Sequence, residues 1–91
     1  MPNELKFRPL KAYFCYFVND DEWGSFVLAN SRGQAKAIFH RYYKDNGEWN
    51  DIRLFKVKDL PKDMPLLPQI LDMPDDPLLE ILGLEYMETE V

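Results

Sequence analysis

The chain holds few of the side chains that serve as nucleophiles, general bases or soft metal ligands. Its 91 residues include one cysteine, Cys15, and one histidine, His40. The pattern predicts Cys15 in the middle of a strand and His40 on the exposed side of a helix, so we do not expect a Cys/His pair. A zinc site needs a compact set of Cys, His or carboxylate ligands, and no such spacing occurs. We therefore predict a protein that is not an enzyme and that holds no metal and no cofactor.

Basic side chains recur at every fourth position of the predicted helix. Arg32, Lys36, His40 and Lys44 lie along one side of it, and Arg41 lies beside them. Aromatic residues are frequent in the strands nearby, and cations next to stacking surfaces are typical of proteins that bind single-stranded nucleic acid. The sequence thus offers one hypothesis, a nucleic-acid-binding module that uses this basic helix face. The alternative is an ordinary solvated face, because the net charge of the chain is −5.

Charge is divided unequally along the chain. Residues 1–44 hold seven Lys and Arg against four Asp and Glu, a sum of +3, whereas residues 45–91 hold four against twelve, a sum of −8. The acidic half either pairs with the basic helix inside the fold or presents a carboxylate-rich surface to a basic partner. The second alternative predicts a partner-binding surface that combines Trp23 with acidic residues of the C-terminal half: Asp72, Asp75, Asp76, Glu80 and Glu85.

The elements that must position these side chains are indicated by a change of hydrophobic period, from about two residues to about 3.6, within residues 11–44. Residues 12–18 are apolar on both faces, as expected of an interior strand. The polar residues 19–24 predict a connection somewhat longer than the tightest hairpin, and residues 25–29 predict the returning strand. Ser31 and Gln34 match the capping box of a helix start. The apolar stripe of that helix follows at helical spacing: Ala35, Ile38, Phe39, Tyr42 and Tyr43.

Residues 51–58 predict a third strand, and its more polar face places it at an edge of the sheet. Five prolines follow between residues 61 and 77. They exclude a long helix or a central strand and indicate an extended strap. A short helix is predicted over residues 77–82, with Asp76 as its N-cap and Gly83 as its terminator. Residues 84–91 predict either a last strand or an acidic tail.

Together these patterns predict one α+β domain, a small antiparallel three-stranded sheet (ββαβ) with one helix on one face and a Pro- and Leu-rich C-terminal strap that carries a short helix. Within it we place a lead-in over residues 1–10 and the ββαβ core over residues 11–58. The strap and short helix follow over residues 59–84, and an acidic tail over residues 85–91. The second sheet face must be covered by the strap or by a second copy in a homodimer.

The hydrophobic runs of the chain are short. None reaches the ~18 residues that a membrane-spanning helix requires. The N-terminal residues also lack the continuous apolar stretch of a secretory signal. We therefore predict a cytoplasmic protein without membrane contact.

Several short motifs between residues 12 and 61 carry a family resemblance. They are the aromatic strand with its acidic turn, the strand that ends at Ala29, the helix opening with Ser31, Ala35 and Lys36, the segment DIRLFKV and the pair Leu60-Pro61. This pattern resembles small uncharacterised proteins encoded by phages and prophages. The resemblance leaves the strap and tail outside it and carries over no site residues. It implies an accessory protein of the bacterial cytoplasm that binds a host or phage macromolecule, with inhibition of a host enzyme or defence nuclease as one such role.

The functional expectation combines the missing catalytic set with the aromatic strands and the divided charge. We expect a non-catalytic accessory protein that binds another protein, with the acidic surface as its contact. Nucleic-acid binding by the basic helix face is the alternative. The two hypotheses differ in which charged surface remains free in the fold.

Overall fold

The computed structural model describes residues 9–85. They form an α+β fold with a four-stranded antiparallel sheet and two α-helices. In chain order the elements are β1 (Lys11–Phe17), β2 (Asp20–Ala29), α1 (Arg32–Tyr42), β3 (Ile52–Asp59), β4 (Gln69–Leu71) and α2 (Pro77–Ile81), with a single 3-10 turn (Trp49–Asp51) before β3. The strands lie in the order β3-β1-β2-β4 across the sheet. β3 is therefore an edge strand, as predicted.

The expectation of three strands is wrong, because the strap contributes a fourth. β4 pairs antiparallel with β2, with Leu71 opposite Phe26 and Gln69 opposite Leu28. It is three residues long and lies between Pro68 and Pro74. A short strand at the sheet edge tolerates prolines on either side, since it needs few backbone donors. The density of prolines concealed this strand in the sequence.

The hairpin between β1 and β2 is tighter than expected. Val18 and Asn19 alone separate the two strands, so the acidic residues from Asp20 to Glu22 lie within β2 rather than in a loop. The β1–β2 register shifts between Cys15 and Phe17. At this irregularity the backbones approach closely, because a Cβ on Gly24 would lie 2.5 Å from the carbonyl oxygen of Cys15. Gly24 is thus required by packing inside the strand.

α1 begins as the capping box predicts, with one variation. The Ser31 hydroxyl accepts a hydrogen bond from the Gln34 N–H at 3.2 Å. The Gln34 side chain reaches back to the N–H of Asn30 at 2.7 Å, one residue earlier than in the standard box. The helix ends at Tyr42, which is exposed, so its place in the predicted apolar stripe is wrong. The Tyr42 hydroxyl instead donates to the Asp72 carboxylate beside β4.

Both faces of the sheet are covered by apolar residues from outside it. On one face, Ala35 and Phe39 of α1 pack on the inner side chains of β1 and β2, which include Tyr13, Cys15 and Val27. On the other face the strap supplies its own buried side chains: Leu60, Leu79, Leu82 and Leu84. The strap therefore covers most of the second face and leaves Phe55 and Val57 exposed, while the alternative of a homodimer stays a prediction.

α2 follows its predicted pattern closely and ends one residue earlier than expected. The Asp76 carboxylate accepts from the Leu78 N–H at 2.9 Å, and Pro77 occupies the first helical position. Gly83 has a φ of +76°, the left-handed conformation that glycine adopts most easily after a helix. The lead-in before residue 9 and the tail beyond residue 85 lie outside the described residues. The helices within residues 9–85 are too short or too polar to span a lipid bilayer.

We expect the strap to be an anchored layer, so truncation of its buried side chains should destabilise the protein. Leu79 is 4% exposed, whereas Ile81 on the same helix is 62% exposed. Leu79→Ala should lower the free energy of unfolding by about 2 to 4 kcal/mol, because it removes a core side chain. Ile81→Ala, the matched control, should change it by less than about 0.5 kcal/mol. Urea unfolding measures both, and equal effects would show that the strap does not bury Leu79.

Two glycines should respond in opposite directions to alanine. Gly24→Ala places a methyl group against a backbone carbonyl, so it should destabilise the fold by about 1 to 3 kcal/mol. Nothing lies within 4 Å of a Cβ on Gly33 in the first turn of α1. Gly33→Ala should therefore stabilise the protein by about 0.5 kcal/mol through helix propensity. Thermal unfolding of the two variants tests this, and a stable Gly24→Ala protein would contradict the close approach of β1 and β2.

Candidate binding surfaces

Cys15 and His40 lie in different surroundings and do not form a nucleophile–base pair. Cys15 is fully buried between the sheet and α1, and this burial raises the pKa of its thiol to about 12. It is therefore a protonated core side chain at neutral pH. His40 packs edge-on against the Trp49 ring, with 5.6 Å between the ring centroids. Within residues 9–85 no group of three or more His, Cys, Asp and Glu side chains is placed to hold a metal ion.

Trp23, predicted to bind a partner, is largely engaged inside the molecule. Its ring centroid lies 4.9 Å from that of Tyr43 in an edge-to-face contact and 6.2 Å from that of Phe39. Its indole N–H donates to the Asp20 carboxylate at 2.6 Å. These contacts place Trp23 against the core between sheet and helix α1. A partner would reach only the part of the side chain that this packing leaves exposed.

The predicted acidic residues occupy three separate places. Asp72 accepts the Tyr42 hydroxyl, and this hydrogen bond raises the pKa of Tyr42. Asp75, Asp76 and Glu80 gather around the start of α2, where one of them serves as the N-cap. Glu85 lies beside Lys58 at the opposite end of the short helix. The structure therefore brings three of the acids together and places Trp23 on the other side of the sheet.

The acidic half of the chain does not pair with the basic helix at contact distance. Among the described residues, the one ion pair with nitrogen and oxygen within 4.0 Å joins Lys56 to Asp59, both in β3, at 3.3 Å. The cations of α1 thus have no carboxylate against them in this part of the chain. Such exposed charges remain available to an anionic ligand.

A shallow depression with basic walls lies between the start of α1 and β3. Arg32, Lys36 and Arg53 line it together with Ile52 and Leu54, and its volume is about 440 Å³. We refer to this depression, with its three cations, as the basic depression. It combines residues of α1 and β3, two elements that have the 3-10 turn Trp49–Asp51 between them in the chain. The helix spacing identified two of its members, but nothing in the sequence pattern pointed to Arg53.

The cations of the basic depression are held in place by neutral groups. Arg32 donates to the carbonyl of Leu54 at 3.3 Å. Arg53 donates to the carbonyls of Asn50 and Ile52 at 2.9 and 3.1 Å. A guanidinium has five N–H donors, so each keeps others free for a ligand. The arginines also cover carbonyl oxygens of an edge strand, a protection against unwanted strand pairing.

An exposed indole borders the basic depression. The Lys36 ammonium lies 4.8 Å from the centroid of the Trp49 ring, a cation–π contact. Trp49 is 42% exposed. Of the other predicted basic residues, Arg41 lines a different depression with Ile38 and Pro68, and Lys44 is exposed beyond the end of α1. The structure thus assembles only part of the predicted basic face and adds Trp49 to it.

On the strap side of the sheet, β3 carries apolar side chains that the strap does not cover. Phe55 is 45% exposed and Val57 is 39% exposed, although the neighbouring Phe14 is only 7% exposed. The rings of Phe14 and Phe55 lie 5.8 Å apart. We refer to Phe55 and Val57 as the apolar strip. The strip borders a depression of about 380 Å³ whose wall also includes the buried Phe26 and Leu84.

Burial of Cys15 predicts a characteristic pH dependence of stability. The pKa of this thiol is about 12 in the folded protein against 9.0 for an ordinary cysteine. Above about pH 9 the unfolded chain loses the thiol proton while the folded chain keeps it, so stability falls as the pH rises toward the folded pKa. The difference in unfolding free energy between wild type and Cys15→Ala should therefore fall by about 1 kcal/mol from about pH 8 to about pH 10. Urea unfolding at both pH values measures it, and a constant difference would contradict the buried thiol.

The comparisons with known proteins leave these surfaces without a precedent. No protein-family model, no curated protein and no solved structure matches the chain. The expected relation to phage and prophage proteins therefore stays a prediction. Functional inference depends on the geometry of the basic depression and the apolar strip.

Proposed function

We propose that this chain is a non-catalytic protein-binding module whose contact surface is centred on the apolar strip. The observation that carries this proposal is the incomplete cover of the strap-side face, where Phe55 and Val57 remain exposed next to a buried aromatic core. Such side chains gain free energy when a partner removes them from water, at roughly 25 cal/mol per Å² of apolar area. A partner that inserts an apolar side chain into the neighbouring depression would pack it against the core side chains in the wall of that depression.

The charges around the apolar strip indicate the chemistry of the partner. Lys58 follows Val57 in β3 and is exposed, whereas Lys56 already pairs with Asp59 at 3.3 Å. Glu85 lines the same depression as Lys58. The Lys58 ammonium donates to the carbonyl of Leu82 at 2.8 Å, which holds it at the rim of the depression. An apolar side chain with a carboxylate beside it on the partner matches this arrangement. The partner surface that we propose is therefore apolar at its centre, with a carboxylate placed to meet Lys58.

The mode of contact follows from the protection of the β3 edge. The carbonyls of Ile52 and Leu54 already accept hydrogen bonds from arginine side chains. A partner strand that paired with this part of β3 would have to displace both guanidinium groups. Packing against exposed side chains requires no such displacement, so we propose side-chain contact rather than strand addition.

This proposal keeps the protein-binding function expected from the sequence and changes the surface. The expected surface of Trp23 and C-terminal acids is divided between the two sides of the sheet, and Trp23 and Asp76 already serve the fold. The apolar strip, in contrast, has no evident structural role for its exposed area. A role as an accessory protein that inhibits a host enzyme is compatible with a protein-binding surface and rests on the resemblance alone.

Substitution of Val57 should remove partner binding without unfolding the protein. Val57→Asp introduces a negative charge into the strip, opposite a partner surface that we propose is apolar with a carboxylate, so the amount of partner retained in affinity purification should fall at least about tenfold. Leu67→Asp is the matched control, because Leu67 is an exposed apolar residue of the strap away from the strip. It should retain the partner at the wild-type level.

Two further measurements keep this test interpretable. Val57→Thr preserves the β-branched shape that strands favour and should bind a few-fold more weakly while unfolding close to the wild-type temperature. Nuclease treatment of the sample should leave the retained protein unchanged. Equal retention by Val57→Asp and Leu67→Asp would place the contact surface elsewhere.

A further inference from the structure

We propose that the basic depression and Trp49 form a second site, which binds single-stranded nucleic acid. Phosphate groups would contact the three cations, and one base would pack against the exposed indole. The site lies between α1 and the start of β3. The strap covers the face of the sheet opposite α1, and Arg53, which lies opposite Tyr16 on that face, takes part in the depression at the edge of β3. The inference does not depend on the proposed protein-binding function.

The first support is the density of uncompensated positive charge. Three cations line one depression, and no carboxylate of residues 9–85 lies within 4.0 Å of their nitrogens. The net charge of −5 acts over the whole molecule, but charges more than about 8 Å apart are largely screened at physiological ionic strength. Glu48 and Asp51 neighbour Trp49 and Ile52 in the chain, so the three cations of the depression still outnumber the nearby acids and favour an anion.

The second support is the preorganisation of the charged groups. Hydrogen bonds to backbone carbonyls fix both guanidinium groups, and the ring of Trp49 fixes the ammonium of Lys36. Held in this way, these side chains lose less conformational freedom when a ligand binds. Arginine also presents parallel N–H donors that match the oxygens of a phosphate.

The third support distinguishes a nucleic-acid strand from a free phosphate or a mononucleotide. Lys36 and His40 follow Arg32 at intervals of four residues, about 6 Å apart along the axis of α1, and Lys44 is exposed just beyond the end of the helix. Such a track offers contacts to more than one phosphate. An exposed indole next to the cations adds a surface on which a base can stack, a combination typical of single-strand binding. Double-stranded nucleic acid hides its base faces and would use only the charges.

The test uses a short fluorescein-labelled oligothymidylate and its RNA counterpart in anisotropy titrations with the full chain. We expect saturable binding that weakens steeply with salt, since counterions are released from the strand. Lys36→Gln with Arg53→Gln should weaken binding at least about tenfold and reduce the slope of log K against log salt by about 1.4, or about 0.7 per lost phosphate contact. Lys11→Gln with Lys62→Gln, which changes the net charge equally, should leave the slope near that of wild type.

Substitution of Trp49 distinguishes the stacking of a base from the attraction between charges. Trp49→Ala should weaken binding by about 5- to 150-fold with little change in the salt slope, because a base contact releases no counterions. Within the protein itself Lys36→Gln removes only the cation–π contact with the indole ring, so among the charge variants it is the least able to affect folding. Inorganic phosphate and adenosine monophosphate should compete poorly with the labelled strand, and duplex DNA less well than an unlabelled single strand.

Three results would overturn the proposal. One is the absence of saturable binding at low salt. Another is an equal loss of affinity in the two double variants, which would show that only net charge matters. The third is wild-type affinity in Trp49→Ala, which would remove the indole from the site. Each readout differs from the protein-retention assay, so failure of either proposal leaves the other intact.

Discussion

β1 and β2 need apolar contacts on both faces of the sheet, and this requirement sets the arrangement of the other elements. These central strands carry large apolar side chains above and below the sheet, and nearly all are buried. One short helix cannot cover both faces. The chain therefore sends residues beyond 60 back across the sheet, where leucines from the strap and α2 complete the second layer. The density of Pro and Leu in this segment suits it to the task, since the layer needs apolar contacts and little regular backbone.

The same requirement explains where function can reside. The side chains of α1 and of the strap pack mainly on β1 and β2. They leave part of β3, the edge strand, exposed. On the strap side this leaves Phe55 and Val57 exposed. On the helix side the start of α1 lies across β3, where it forms the basic depression with Arg53. Both candidate surfaces therefore arise at the one strand that neither cover reaches fully.

Charge contributes to binding surfaces more than to the stability of this fold. The ion pair between Lys56 and Asp59 is exposed, and exposed pairs contribute little to stability, about 0 to 1 kcal/mol. The arginines beside β3 instead donate to backbone carbonyls of the edge strand. They thereby limit nonspecific strand pairing and at the same time hold free N–H groups toward solvent. The same arginines thus protect the strand edge and line the basic depression.

Local sequence determined the elements whose signals lie within a few residues: the start of α1 at Ser31, the cap of α2 at Asp76, the two-sided strand β1 and the edge position of β3. These depend on hydrogen bonds and periodicity between near neighbours, which a pattern can show. The packing of distant segments decided the pairing of β4, the partial burial of the Trp23 ring and the meeting of Trp49 and Arg53 with α1. These contacts join residues far apart in the chain, and their geometry follows from how the sheet is covered, which no local spacing encodes.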